Sequence, residues 1–239
     1  MVELEPNSRW RNSLAMVFAL VFPTLLTVVY FILLAQSSAG SQQGAYAIGK
    51  TIQFAFPVIW VLFVERQRIQ RQWPRGRDVL FGAALGLALL IAGLILYHFA
   101  LKPAGVFDEA AIKVRQKVEA IGIRGFWPYV TLALFYCAVH SLLEEYYWRW
   151  FVFAQLRRLA SLKMAILVSS LGFMAHHVCV LSVYFGWFTL WSLLLSAAVA
   201  VGGGIWAWLY NRTGSLYGVW ASHALVDAVI FIIGYDLIT

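Results

Sequence analysis

Seven stretches of this sequence stay apolar for about twenty residues, the length that crosses the hydrocarbon layer of a bilayer as a helix. A chain segment in lipid must satisfy its own backbone hydrogen bonds. The expected fold is therefore all-α, a polytopic bundle of transmembrane helices. The runs read as 13–35, 45–64, 79–101, 126–155, 164–184, 187–210 and 216–238, with room for an eighth crossing hidden in these boundaries. The alternating pattern of a transmembrane barrel is absent. With 62% hydrophobic and 12% charged residues, the chain carries more apolar side chains than a soluble domain of 239 residues needs.

In such a chain the net charge of +7 reports topology and not nucleic-acid binding. With the N-terminus inside, Arg9, Arg11, Arg66, Arg68, Arg71, Arg75, Arg77, Arg157, Arg158, Lys163 and Arg212 fall on the inner side. The outer side receives only the five basic residues between Lys102 and Arg124. Eleven against five favours N-inside, as for a protein of the cytoplasmic membrane of a prokaryote. The N-terminal MVELEPNSRWRNS is acidic before it is basic, and the apolar run behind it is too long for a signal-peptide core, so it reads as a retained span. Cys137 and Cys179 both lie in apolar spans, which does not suggest a disulfide framework.

The chain reads as one integral membrane domain in two parts. Residues 1–125 supply three spans and a charged segment, 102–125, with Phe107, Ala111, Val114 and Val118 at helical spacing. That segment is expected as an amphipathic interfacial helix or a plain connecting helix. Residues 126–239 supply four spans, expected as a catalytic core. Gly202–Gly204 suits close helix packing, and the 11 Trp read mostly as interface anchors.

Ionisable residues inside spans are costly and usually functional. Here they gather in the last four spans. The fourth carries HSLLEEYYWRW, where His140 and Glu144 share a helix face and Glu145 and Arg149 share another. A salt bridge between helices accounts for Glu145 and Arg149 but leaves Glu144 unexplained. The fifth span has Phe173 and His177 one turn apart, with His176 beside them, and the seventh has His223 and Asp227 at the same spacing. Counted at ~1.5 Å per residue from the loops at 157–163 and 211–215, Glu144 lies about 16 Å deep, His177 about 20 Å and His223 about 10 Å. With helix ends free to shift by a turn, these depths fit one polar cavity within the membrane.

The three motifs EExxxR (Glu144, Glu145, Arg149), FxxxH (Phe173, His177) and HxxxD (His223, Asp227) resemble those of the CAAX prenyl protease and bacteriocin-processing family of intramembrane endopeptidases. The resemblance covers about 126–235 and extends to the small and aromatic residues of GGGIWAWLYNRTGSLYGVWASH. It implies hydrolysis of a peptide bond without a covalent intermediate. Glu144 would be the general base on water and His177 would help orient that water. His223 and Asp227 would face the scissile carbonyl, and Glu145 and Arg149 would brace the first glutamate. Phe173 and His176 would support the site, His176 competing with His177 for its role. Asp227 stands where the eukaryotic branch carries an amide. An ionised Asp cannot donate to an oxyanion, so it must be protonated or orient His223 instead. No cofactor is expected. The partners are membrane lipid and a membrane-associated, prenylated or leader-type peptide or protein substrate.

Other readings use the same residues. Glu144, His177 and His223 form the two-His, one-carboxylate set of a catalytic zinc site, although no HExxH is present. A cysteine protease using Cys179 with His176, or Cys137 with His140, is disfavoured by the apolar setting of both thiols. A proton-coupled transporter or a non-enzymatic immunity or scaffold protein would use the acids and imidazoles as a relay or as structure.

Overall fold

The computed structural model describes residues 6–69 and 73–239, so the first five residues and Arg71, which entered the charge count, lie outside the described residues. It is 85% helical, without strands among those residues, and has seven helices long and apolar enough to span a membrane. These are α1 (Trp10–Leu33), α2 (Gly40–Val64), α3 (Gly76–Leu101), α5 (Phe126–Leu159), α6 (Leu162–Phe185), α7 (Leu190–Thr213) and α8 (Leu216–Ile238). The charged segment forms α4 (Asp108–Ala120). The protein is an integral multi-pass membrane protein, and the described residues hold seven such helices and no eighth.

Local chemistry fixes where the later helices start. Ser161, Thr189 and Ser215 each accept a backbone N–H of the first turn through the side-chain hydroxyl, as N-caps of α6, α7 and α8. Gly214, at φ +64°, ends α7 in the left-handed conformation that glycine adopts without strain. α5 is less regular. Two π-helical segments, Phe135–His140 and Tyr146–Phe153, flank a short α segment, Ser141–Glu145. Each widened turn rotates the residues beyond it, and such turns are frequent at functional sites. The two glutamates lie in the α segment between the two.

Helix contacts then set the frame. α3 packs along α8, α6 along α7, and α1 against α6. The α3–α8 contact depends on glycine. A Cβ on Gly86 would lie 2.8 Å from the Cα of Ser222, and Cβ atoms on Gly82 or Gly218 would run into backbone carbonyls of the facing helix. Close approach through small residues is how helices associate in lipid, where apolar burial gives no advantage over lipid contact. At one end of the bundle Lys102 Nζ and the Tyr97 hydroxyl both donate to Asp236, each at 2.6 Å. At the opposite end Arg158 pairs with Glu65.

The charged segment is a docked connector. Lys113 Nζ donates to the carbonyls of Val183 (2.9 Å) and Tyr184 (3.2 Å), at the end of α6, and Arg115 donates to the carbonyl of Leu237 at the end of α8. Last-turn carbonyls lack intrahelical partners and carry the negative end of the helix dipole, so cations are favourable there. α4 thus closes the Asp236 end of the bundle.

Candidate active site

The second half of α5 is the most deeply packed part of the fold. Tyr147, Trp148, Phe151, Val152 and Phe153 are all buried, and so are Glu145 and Arg149 among them. Burying a charge is costly unless it is paired and hydrogen-bonded. Arg149 Nη1 lies 3.1 Å from Glu145 Oε1, and Nη2 donates to the carbonyl of Gly203 at 3.3 Å. The guanidinium lies between the Phe173 and Trp206 rings, 4.7 and 5.2 Å from their centroids, in cation–π contact. Gly203 serves the close packing expected of the glycine run and a second purpose besides. It brings α7 against Ser170 of α6, and its carbonyl accepts from Arg149.

The same Glu145 oxygen accepts from His223 Nδ1 at 2.6 Å. His223 stacks on Trp206, centroids 4.1 Å apart, and Trp206 in turn donates its indole N–H to Ser222. α8 is thus tied to α5 and α7 at this imidazole. With Nδ1 directed at a carboxylate, His223 Nε2 faces the other acids. It is 3.8 Å from Glu144 Oε2 and 3.5 Å from Asp227 Oδ1. The carboxylate of Glu145 meets His223 directly, and it reaches Glu144 only through that ring.

Glu144 is 5% exposed. Its Oε1 lies 3.5 Å from His140 Nε2 and 3.6 Å from His176 Nε2. Imidazoles from α5, α6 and α8 therefore surround one carboxylate at distances longer than direct hydrogen bonds. His176 stacks flat on Trp148. His177, one residue on, donates Nδ1–H to the carbonyl of Phe173 at 2.8 Å, which leaves Nε2 as an acceptor. Its ring is 4.1 Å from that of His176. Of the two histidines, His176 makes the close approach to Glu144. Phe173 packs against both, and against Trp206 and His223.

The structure thus brings Glu144, Glu145, Arg149, Phe173, His176, His177, His223 and Asp227 into one cluster. Reading the sequence assigned no role in the site to four contributors. Trp148 and Trp206 are buried ring platforms under imidazoles and not interface anchors. His140 shares Glu144, for which its i,i+4 spacing was the signal. Lys50, mid-way along α2, lies within electrostatic reach of Glu144. Among the described residues no three His, Cys, Asp or Glu side chains are disposed to share a metal ion.

Residues 126–229, which contain all three motifs, match the family model described as type II CAAX prenyl endopeptidase Rce1-like. The family expected from the motifs is the one that this region matches. No curated protein and no solved structure matches the chain. The match supports CAAX-type intramembrane endopeptidase activity in general terms.

Proposed function

We propose that this protein hydrolyses a peptide bond of a membrane-associated, prenylated or leader-type substrate with water activated by Glu144. One observation carries this reading. A carboxylate in mid-span, 5% exposed, faces imidazoles from three helices, each too distant for a direct hydrogen bond but close enough to share a water molecule. Glu144 takes a proton from that water as its oxygen attacks the scissile carbonyl carbon. The C–N bond then breaks and the proton on Glu144 passes to the departing nitrogen, giving an acid and an amine. His177 Nε2, with Nδ1 tied to a backbone carbonyl, is an acceptor suited to orienting the water. His176, nearer to Glu144, competes for that role. His223, when protonated, presents Nε2–H to the developing oxyanion, held by Glu145. Asp227 acts on that same nitrogen and so works through His223. Arg149 keeps Glu145 compensated in the core.

The reading extends to placement in a cytoplasmic membrane with the N-terminus inside, so that the segments 66–77 and 157–163 face the cytosol. Single-cysteine labelling from outside intact cells should leave both segments unmodified. Efficient labelling at both reverses the orientation without changing the site. The activity itself is tested by comparing the membrane proteomes of cells with wild-type protein and with Glu144→Gln. The expected result is one or more substrates accumulating uncleaved in the variant. Identical proteomes with equal protein levels would argue for a non-enzymatic membrane role.

A further inference from the structure

Lys50 is a cation in the middle of α2, and neither the motifs nor the proposed mechanism uses it. Its ammonium lies over the Tyr46 and Phe54 rings, 5.5 and 5.3 Å from their centroids. Among the described residues it has no ion pair, although Glu144 is within electrostatic reach. An ammonium held in a span without an anion in contact is costly and is by default functional. Cation–π contact offsets only part of that cost.

The surroundings of Lys50 are polar in a specific way. Tyr46 packs on Tyr30 of α1, ring centroids 4.6 Å apart, and Tyr136 of α5 packs on His140, 4.9 Å apart. Lys117 of the connector α4 sits 4.5 Å over the Tyr30 ring and donates to Gln42 at 3.1 Å, above this group. Lys50 and these rings therefore lie between the level of His140 and α4, and among the described residues no carboxylate contacts the ammonium.

We infer that Lys50 binds the carboxylate that ends the substrate chain. The inference rests on the endopeptidase reading. A CaaX sequence is C-terminal by definition, so the piece released from it ends in a free carboxylate. Three extended residues span about 10 Å. Phe54 faces His140, centroids 6.4 Å apart, at the level of the glutamates. Lys50 is one helical turn farther toward α4, about 6 Å along the axis. A scissile carbonyl at Glu144 thus leaves the terminal carboxylate near the ammonium. A carboxylate there completes an ion pair that the empty site lacks, and the contact selects for a cleavage point at a fixed distance from the chain end.

Two probes test this: a fluorescent peptide with a prenylated cysteine followed by three residues, made as the free acid and as the C-terminal amide. A third peptide, amidated but with Asp as its last residue, distinguishes a terminal from a side-chain carboxylate. Binding is measured to Glu144→Gln protein in lipid nanodiscs, and cleavage with the wild-type enzyme. The acid should bind at least about tenfold more tightly than the amide, as expected for a charge-assisted contact in a site of low dielectric. In the cleaving enzyme Lys50→Gln should abolish the preference, bringing the acid-to-amide ratio of kcat/KM to about one through a rise in KM for the acid. Lys50→Arg should retain the preference. A merely structural role for Lys50 would impair both peptides equally. Equal binding of acid and amide, absence of binding, or a preference for the Asp peptide over the free acid overturns the inference. Preferential binding of the acid without cleavage by the wild-type enzyme retains the carboxylate site and instead counts against the endopeptidase reading.

Discussion

Glu144 and Glu145 are neighbours in sequence, and both are buried, yet the two carboxylates live in different surroundings. Glu145 is engaged through one oxygen, with His223 at 2.6 Å and Arg149 at 3.1 Å, and the guanidinium is held by a carbonyl and two aromatic rings. Glu144 has imidazoles at 3.5, 3.6 and 3.8 Å and none closer. The first pocket is dense and leaves its groups a single arrangement. In the second the imidazoles stand beyond direct hydrogen-bond length from the carboxylate. Under the proposed hydrolysis the tight pair aims the imidazole, and the looser carboxylate is the one that meets the water.

The sharpest way to break this comparison is to neutralise each acid with its isostere. Glu144→Gln keeps the volume and an accepting oxygen but removes the base, so hydrolysis should fall by about 10³-fold or more while the melting temperature in detergent stays close to wild type. Glu145→Gln should do the reverse in proportion. It leaves Arg149 buried with less compensation, and breaking one side of a buried pair costs roughly 3–5 kcal/mol. Reduced thermal stability should accompany a loss of activity through His223. The double variant Glu145→Gln with Arg149→Met should recover part of the stability and none of the aim of His223. A fully active Glu144→Gln beside a stable, inactive Glu145→Gln would exchange the two roles.

A smaller effect is expected at a distance. Gly86→Val places a Cβ 2.8 Å from the Cα of Ser222, the residue before His223. α8 must move away from α3, at a cost of about 1–3 kcal/mol for an overpacked contact. Because the movement reaches His223, cleavage should fall with stability, more than for a Val substitution at Gly44, which has open space around it. Equal effects at the two positions would mean that the α3–α8 contact does not position the imidazole.

Much of this site was legible in the sequence because its charged residues lie in apolar runs. Glu144, Arg149, His223 and Asp227 stand out against apolar neighbours, and helical spacing alone pairs Glu145 with Arg149. The span count follows from length and hydropathy, and all seven were recovered to within a few residues. Relations between helices were not legible. No spacing rule says that Glu145 reaches His223, 78 residues away, or that Trp148 and Trp206 support imidazoles when Trp so commonly lies at interfaces. The glycines of α3 read as unremarkable in a long apolar run, since their use depends on what faces them. Lys50 is a charge within a span, but that it comes within electrostatic reach of Glu144 depends on how α2 and α5 lie together.

The smallest effect is expected from metal removal, and it bears on what fills the space around Glu144. Glu144, His177 and His223 have the chemistry of zinc ligands. The geometry offers them little of a shared centre. His177 and His223 each engage Nδ1 and keep Nε2 open, as zinc-bound imidazoles also do, but His176 and not His177 is the imidazole of its pair nearer to Glu144. Zinc ligands sit about 2 Å from the metal, and among the described residues no three such side chains are disposed around a common point. With water as the occupant, a chelator that penetrates detergent micelles should leave the cleavage rate unchanged, and purified protein should carry substoichiometric zinc. Activity lost to the chelator and restored by zinc would mean that the looser pocket is a metal site. His223→Gln would then lower zinc content as well as rate, whereas under the water reading it lowers the rate alone.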